Sequence, residues 1–594
     1  MSKRVSLEEL MDFKVNYCDK FFPNNLSTWS SIVLLECMED RNLMEEIKTY
    51  ISIKSDTVSA LELNNIMQEL RDKTNKYIGS IKDATSKDEF YKSFTRGLVY
   101  YGVLESLDEL ASFSTELIGA IKEKYGNDYL EVISKFDKGN LSVDGGKVLE
   151  KVNLEDIYSH DELLQKYKVL KEWQDKQHGY YQMVIEPVLI NMRNEYDEVY
   201  PLPIDVKFEN PLMHKKFFEL CSNDLINIDE LAKCYLCGMD NELVKLVGGK
   251  SYGLTKLKAK GINIPRTFII PVTSSGFDSS KHPELSHKHH YSIRSSADIE
   301  DGKTNSFAGM FDSFLDVSLE KIPENINKVI NSKYNPRLQE YIKTNELQQP
   351  NMAVIVQEFI EPEYAGVWMG KDDESGYLEY VKGNGEKLVS GRINPEREVW
   401  EKGDCESSKL SCNSGYVGEL LLKYQRDVTE KKGEVADFEW MILNNELVML
   451  QYRPVTTVLD MSQIYTKDEE GIFKGIPASP GVVSGPARFV NARYIDQLTD
   501  WINGDILMAW YTDPEWMHIL SHSSGIVTAV GGFLCHAAII ARELGIPCVI
   551  GIGGDNMKKI WEEKELTIDG TNGTVKVGPI KKKWLSQSKT SFSI

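Results

Sequence analysis

The sequence predicts a multidomain protein with an α-helical N-terminal domain, a central α/β domain and a small C-terminal domain of short strands and one helix. A chain of 594 residues is too long for a single hydrophobic core. Apolar residues recur at three- and four-residue spacing early in the chain, whereas short β-rich segments alternate with helical pieces later. We place the domains at 1–240, 241–456 and 475–580, with a linker at 457–474 and a tail at 581–594.

Composition narrows the class of protein. Hydrophobic residues make up 41% and charged residues 27% of the chain, which is typical of a globular protein. No apolar run approaches the ~20 residues of a membrane helix, and the charged start "MSKRVSLEELMDF" lacks the apolar core of a secretory signal. The nine cysteines have no regular spacing, so we expect a cytoplasmic protein with no membrane partner. A net charge of −21 argues against binding to nucleic acid.

Two glycine-rich segments of the central domain suit phosphate binding. "LVGGKSYGLTKLKAKG" places Lys250 after two glycines and before a helical stretch, so backbone and a point charge can approach a phosphate. "YSIRSSADIEDG" places Arg294 at the end of an alternating strand with hydroxyl neighbours, which suits a polyphosphate. Each segment is also compatible with an ordinary surface turn.

A predicted hairpin, "DFEWMILNNELVMLQYRPVT", carries a third group of polar residues. Alternation puts Gln451 and Arg453 on one face of the second strand, and Glu439 across from them on the first. Carboxylate and amide oxygens are ligands that Mg²⁺ prefers, with arginine beside them for phosphate. A half-buried hairpin carrying a salt bridge is the plainer alternative.

The stretch "VGGFLCHAAIIARELGIP" places His536 between a glycine pair and a short helix that ends at Gly545 and Pro547. Unpaired N–H groups at a helix N-terminus favour a phosphate, and a neutral imidazole nitrogen is a nucleophile. The alternative is a histidine that caps a turn.

The order of these motifs resembles that of phosphoenolpyruvate synthase, pyruvate phosphate dikinase and rifampicin phosphotransferase. "GGKSYGL", "IRSSADIEDG", "VIVQEFIEPEYAGVWM", "GNGEKLVSG" and "DFEWMI…LQYRPVT" match the ATP-grasp domain of that family over residues 241–456. The resemblance implies that Glu439 and Gln451 hold Mg²⁺. It implies that ATP is bound by Lys250, Arg294, Gln357, Glu358, Glu439, Gln451 and Arg453.

The segments "ASPGVVSGPARFV", "YTDPEWMHILSHSSGIVTAVGGFLCHAAIIARELGIPCVIGIG" and "TIDGTNGTVKV" resemble the swivelling β/β/α phosphohistidine domain of the same family. That resemblance implies that His536 is the phosphocarrier and that ATP is converted to AMP and phosphate. One histidine cannot reach two sites at once, so we expect a hinge in the linker 457–474.

The acceptor is less determined. Leu534 stands where the pyruvate-handling members usually have threonine, and no pyruvate-binding barrel follows the phosphohistidine domain in this sequence. We therefore expect a small molecule other than pyruvate, such as an antibiotic, a metabolite or an amide like glutamine, held by residues 1–240. A phosphorelay to a protein partner and an ATP-driven condensing enzyme are the alternatives.

Overall fold

The computed structural model describes sixteen stretches of the chain, which fall into two compact units. The first unit comprises Met1–Cys221 with Ala232–Asp240, and the second comprises Ser222–Leu231 with Asn241–Ile594. The second unit contains two sheets of a central part, within residues 226–455, and one sheet of a C-terminal part, within residues 471–578. The described residues are 4–22, 27–52, 60–81, 84–87, 89–104, 106–107, 185–298, 311–344, 348–385, 393–405, 409–429, 433–455, 471–490, 504–512, 516–532 and 535–578.

The first unit is helical in its described residues. Asp40 separates two helices within the stretch predicted as helical, because its side chain accepts hydrogen bonds from the backbone N–H groups of Asn42 and Leu43 and so starts a new helix. Much of the rest, including 108–184, lies outside the described residues. The helices are α1 (Leu7–Phe13), α2 (Asp19–Phe21), α3 (Ser27–Glu39), α4 (Arg41–Ile51), α5 (Ala60–Ser80), α6 (Glu186–Val199), α7 (Pro211–Cys221) and α8 (Ile228–Leu236), which begins in the second unit.

The first sheet of the central part has the strand order β1-β2-β5-β3-β4, and every pairing in it is antiparallel. Helix α10 packs on strands β3 and β5, with Ile322, Ile326 and Val329 buried in the core. The elements are α9 (Asp240–Ala259), β1 (Ile226–Asn227), β2 (Thr267–Ile270), β3 (His290–Ala297), β4 (Ser313–Val317), α10 (Ile322–Ser332), α11 (Pro336–Thr344) and β5 (Met352–Phe359).

The second sheet of the central part has the order β12-β11-β6-β7-β8 and is also antiparallel throughout. The predicted hairpin is present: Asn444 and Asn445, at φ of 51° and 60°, form the turn between its strands. The elements are β6 (Tyr364–Asp372), β7 (Ser375–Lys382), β8 (Glu396–Trp400), the short pair β9 (Ser411–Cys412) and β10 (Gly415–Tyr416), α12 (Val417–Val428), β11 (Val435–Leu443) and β12 (Glu446–Val455).

The C-terminal part forms a mixed eight-stranded sheet in the order β13-β20-β19-β15-β16-β17-β18-β14. The expectation of one helix here is wrong, since the described residues hold three; two of them span only 5 and 7 residues, too few to show a helical period. The elements are β13 (Ile472–Lys474), β14 (Ile476–Ser479), β15 (Val482–Val490), β16 (Ile506–Ala509), α13 (Met517–Ser521), β17 (Gly525–Thr528), α14 (His536–Leu544), β18 (Cys548–Ile550), α15 (Gly554–Ile560), β19 (Glu565–Asp569) and β20 (Thr574–Val577).

Two predicted boundaries meet the structure only in part. Strand β13 falls inside the linker predicted at 457–474, but it pairs with β20 and so belongs to the sheet of the C-terminal part. The rest of that linker up to residue 470, and the tail at 581–594, lie outside the described residues. The multidomain prediction with helices and sheets is confirmed. Among the described residues, no helix combines the length and apolarity needed to cross a membrane.

Candidate active site

A cavity of about 880 Å³ lies in the second unit, lined by both sheets of the central part and by helix α14 of the C-terminal part. Strands β3, β4 and β5 form one side and strands β6, β11 and β12 the other. The lining includes five residues that were predicted from the sequence to bind nucleotide or to carry phosphate: Arg294, Gln357, Glu358, Glu439 and His536.

Arg294 joins the two sheets inside this cavity. Its Nη2 donates to Glu439 Oε2 at 3.0 Å and to Gln451 Oε1 at 2.7 Å, and its Nη1 donates to the carbonyl of Leu450 at 3.3 Å. Glu439 and Gln451 are register partners in the hairpin, which is why one guanidinium reaches both. The Arg294 side chain is 16% exposed and that of Glu439 28%, so this pair is only partly shielded from solvent.

The two side-chain oxygen atoms that accept hydrogen bonds from Arg294 Nη2 are of the type that Mg²⁺ prefers as ligands. Both Glu439 Oε2 and Gln451 Oε1 lie within 3.0 Å of the same nitrogen, so a single cation at that position would contact both. Mg²⁺ is commonly held by one or two protein oxygens with phosphate and water completing the shell. No group of three or more His, Cys, Asp or Glu side chains that could hold a metal ion occurs in the part of the chain that the structure describes.

Arg453 lies two residues after Gln451 in strand β12 and has a different environment. Its register partner is Asp437, and Arg453 Nε donates to Asp437 Oδ2 at 2.6 Å. Burial raises the pKa of the Asp437 carboxyl despite this ion pair, with Arg453 acting in the opposite direction. Arg453 is not among the residues that line the cavity in the described structure.

Lys250 also lies apart from the cavity lining among the described residues. Its Nζ donates to Ser295 Oγ at 3.2 Å, next to Arg294 in strand β3. The helix that contains it, α9, breaks at Gly248, where φ is 75° and a Cβ would come within 2.1 Å of the Ser296 carbonyl oxygen. Only glycine allows this approach of α9 to β3.

Gln357 and Glu358 end strand β5 at the cavity. The Gln357 side chain is buried, and its Nε2 donates to Thr267 Oγ1 at 2.9 Å. Glu358 Oε1 lies 2.5 Å from His289 Nδ1, while its backbone N–H donates to the Arg266 carbonyl. Both residues line the cavity, and the hydrogen bond to Thr267 and the ion pair with His289 set the orientation of their side chains.

His536 is the first residue of α14, as the sequence predicts, and Gly545 ends that helix in the left-handed conformation at φ 64°. The imidazole is buried, and its Nδ1 lies 3.3 Å from Thr512 Oγ1. Burial raises the pKa of the neighbouring Cys535 thiol to about 11, so that thiol is protonated at neutral pH and is a poor nucleophile. Leu534 lies outside the described residues.

Sequence comparisons identify both parts of this unit. Residues 277–417 match the AMP/ATP-binding domain of pyruvate phosphate dikinase, and residues 502–573 match the mobile domain of PEP-utilising enzymes. The chain is 32% identical over 325 residues to a probable phosphoenolpyruvate synthase of Methanothermobacter thermautotrophicus, covering 48% of this chain and 47% of that protein. Two separate segments of the chain are therefore similar to domains of phosphoenolpyruvate synthases and pyruvate phosphate dikinase.

Two further relatives show a similar extent of similarity. A probable phosphoenolpyruvate synthase of Archaeoglobus fulgidus is 30% identical over 332 residues, covering 49% of this chain and 44% of that protein. The phosphoenolpyruvate synthase of Aeropyrum pernix is 29% identical over 365 residues, again covering 49% of this chain and 44% of the relative. The chain thus spans about half the length of the phosphoenolpyruvate synthases it matches.

One contact in the C-terminal part of the second unit was not predicted from the sequence. Thr512 touches the His536 ring, although 24 positions separate the two residues in the chain. The available signal was its place shortly after the buried strand β16, where a polar side chain can lie at the sheet edge beside a helix N-terminus. That signal is shared by many loop residues, so only the folded sheet singles out Thr512.

Proposed function

We propose that this protein is an ATP-dependent phosphotransferase of the dikinase type, with His536 as the phosphocarrier. The observation that carries the proposal is that His536 lines the same cavity as Arg294 and Glu439. A candidate nucleophile and side chains suited to phosphate and metal therefore share one cavity. The similarity of this unit to phosphoenolpyruvate synthases supports the same proposal.

In the proposed first half-reaction, a nitrogen of His536 attacks the β-phosphorus of ATP and AMP leaves. The γ-phosphate is then released to water, which leaves one phosphoryl group on the histidine. We assign the attack to Nε2, because a tautomer with its proton on Nδ1 donates that proton to Thr512 Oγ1 and carries its lone pair on Nε2. Thr512 thereby holds the ring in the orientation for attack.

Arg294 has a second role in this proposal. In the structure its guanidinium pairs with Glu439 and donates to Gln451. Phosphate oxygens compete for the same fork of N–H donors, so we expect Arg294 to turn towards ATP and release the two oxygens. A bound Mg²⁺ would offset the negative charge that builds on the phosphates during transfer.

Residues 1–240 are proposed to hold the acceptor, a small molecule. The relatives named phosphoenolpyruvate synthase make pyruvate the first acceptor to test, followed by amides such as glutamine and by pooled metabolites and antibiotics. The acceptor must be held against the phosphohistidine after His536 leaves the ATP cavity, so the proposal includes a swivel of the C-terminal part.

The decisive experiment follows phosphate from ATP to the protein. ATP labelled at the β-phosphate should give an acid-labile, alkali-stable label on the wild-type chain, with AMP and orthophosphate as products. His536→Ala should abolish the label, whereas the matched variant His522→Ala, in the same part of the chain, should retain it. ADP as the sole nucleotide product, or a label that persists in His536→Ala, contradicts the proposal.

The acceptor is tested on the labelled protein. Adding each candidate to purified phosphorylated enzyme should transfer the label to one small molecule, which chromatography and mass spectrometry then identify. Transfer to a second protein instead would support a phosphorelay, and a condensed product without a phosphoryl group would support a condensing enzyme.

A further inference from the structure

The central and C-terminal parts of the second unit meet at the Gly531–Gly532 turn, just before His536. Arg397 Nη2 donates to the Gly531 carbonyl at 3.3 Å, and the Gly531 N–H donates to Asn394 Oδ1 at 3.4 Å. Both backbone groups of Gly531 are therefore held by side chains of the central part.

Glu379 holds Arg397 in place for this contact. The two residues are register partners in neighbouring strands β7 and β8, and Arg397 Nε donates to Glu379 Oε1 at 2.8 Å. The Glu379 side chain is only 5% exposed, whereas that of Arg397 is 39% exposed. The buried carboxylate accepts a hydrogen bond from Arg397 Nε, and this orients the guanidinium so that its Nη2 donates to the turn.

The turn also approaches this pair closely at position 532. A Cβ on Gly532 would lie 2.3 Å from Glu379 Oε2, well inside van der Waals contact. An added methyl group would therefore displace the Glu379 carboxylate or the turn, and either shift disturbs the contact between them.

An apolar cluster extends the contact beyond the turn. It unites side chains of strands β6 and β7 with side chains of helices α13 and α14, including residues adjacent to His536 in the helix. Its members include Val367, Met369 and Tyr377 from the central part, and Trp516, Ile519, Ala537 and Ile540 from the C-terminal part. These apolar contacts stabilise the association of the two parts. Because apolar contact is non-directional, they do not by themselves fix one relative position of the two parts.

We infer that Glu379, Asn394 and Arg397 form a clamp on the Gly531–Gly532 turn that sets the position of His536 in the nucleotide cavity. The inference rests on the proposed function and deepens it by naming what holds the phosphocarrier in its ATP-facing position. The three are positioning residues, since none of them lines the cavity among the described residues. The three side chains contact the turn that precedes His536, so a small shift of the turn moves the start of helix α14 and with it the imidazole.

The first test is the single-turnover rate of His536 phosphorylation at saturating ATP. Arg397→Ala and Asn394→Ala should each slow this rate, Arg397→Ala by about tenfold because it loses a charge-assisted hydrogen bond. The affinity for ATP, measured by calorimetry, should stay unchanged, because the nucleotide-facing side chains remain. Arg397→Lys should recover part of the rate by restoring the charge.

Two matched controls separate the clamp from general effects. Arg426 is an exposed arginine that donates to the Asp373 carbonyl within the central part, so Arg426→Ala should keep the wild-type rate. Gly532→Ala should slow phosphorylation through its clash with Glu379, whereas Gly485→Ala, where a Cβ meets open space, should not. Equal effects of clamp and control variants would overturn the inference.

Hydrogen exchange gives a readout that does not require activity. In the full-length protein without nucleotide, Arg397→Ala and Gly532→Ala should speed amide exchange in peptides covering 525–532 and 364–382, while Arg426→Ala and Gly485→Ala should not. Unchanged exchange in the clamp variants overturns the inference, as does faster exchange with a normal phosphorylation rate. If wild-type His536 accepts no phosphate, the proposed function fails, and the exchange result still decides whether the clamp holds the two parts together.

Discussion

Two neighbouring pairs on one hairpin have opposite characters. Glu439 with Gln451 and Asp437 with Arg453 are successive same-face register pairs of strands β11 and β12. Glu439 lines the cavity and shares Arg294 with Gln451, whereas Asp437 and Arg453 bond to each other outside it. Sequence similarity assigned Glu439, Gln451 and Arg453 to the nucleotide. In the structure Arg453 lies two residues after Gln451 and is paired with Asp437, whereas Glu439 and Gln451 can reach a ligand.

Burial accounts for the difference. The Asp437 side chain is 6% exposed, against 28% for Glu439. Removing the partner of a nearly buried carboxylate leaves a charge that water cannot reach, while a partly exposed carboxylate can exchange one cation for another. The Asp437–Arg453 pair is therefore suited to holding the fold, and the Glu439–Gln451 pair to changing partners when a ligand binds.

The largest effect is expected at Glu439, which lines the cavity. Glu439→Gln should slow phosphorylation of His536 by about 10²–10³-fold, because the charge on the transferring phosphates loses a preorganised metal ligand. Its unfolding transition should stay close to that of the wild type. Glu446→Gln, at the exposed start of β12, is the matched control and should be neutral in both measurements.

The second pair should respond in stability instead. Arg453→Met leaves Asp437 buried without its ion-pair partner and should lower the free energy of unfolding by about 3 kcal/mol in denaturant titrations. Arg426→Met, which removes an exposed arginine, provides the baseline. Normal stability together with lost ATP binding would restore Arg453 to the nucleotide site and dissolve the distinction between the pairs.

A smaller effect probes the competition between Arg294 and a metal ion. Arg294→Met should tighten Mn²⁺ binding in the absence of nucleotide by roughly tenfold, because a positive charge no longer occupies the space between Glu439 and Gln451. Electron paramagnetic resonance of Mn²⁺ measures this directly. Arg294→Lys keeps the charge and should leave the affinity near the wild-type value; equal affinities in all three proteins would place the metal elsewhere.

The smallest effect concerns the reactivity of Cys535, the buried residue that precedes His536, the proposed phosphocarrier. The pKa of Cys535 is raised to about 11, so its reactive thiolate is scarce at pH 8 and increases only as the pH approaches that value. Iodoacetamide at pH 8 should therefore label Cys535 less than the half-buried Cys412, as mass spectrometry can show. Rapid labelling of Cys535 would mean that the helix start is more open than its burial indicates.

Local patterns were enough to predict the elements that carry the candidate site. Alternating residues around "NN" predicted the hairpin in which Glu439 faces Gln451, and the glycine pair with Gly545 and Pro547 predicted the helix that begins at His536. These patterns are readable because they rest on contacts between residues close in sequence. The functional roles of the site residues stay predictions.

Only the tertiary structure decided which of these elements meet. It brought Arg294 to the hairpin across 145 positions, committed Arg453 to Asp437, and placed Thr512 on His536. It also joined β13 to the last sheet and set the Gly531–Gly532 turn against Glu379. Such pairings depend on the packing of whole sheets, and period and propensity do not specify which distant side chain will occupy a neighbouring space.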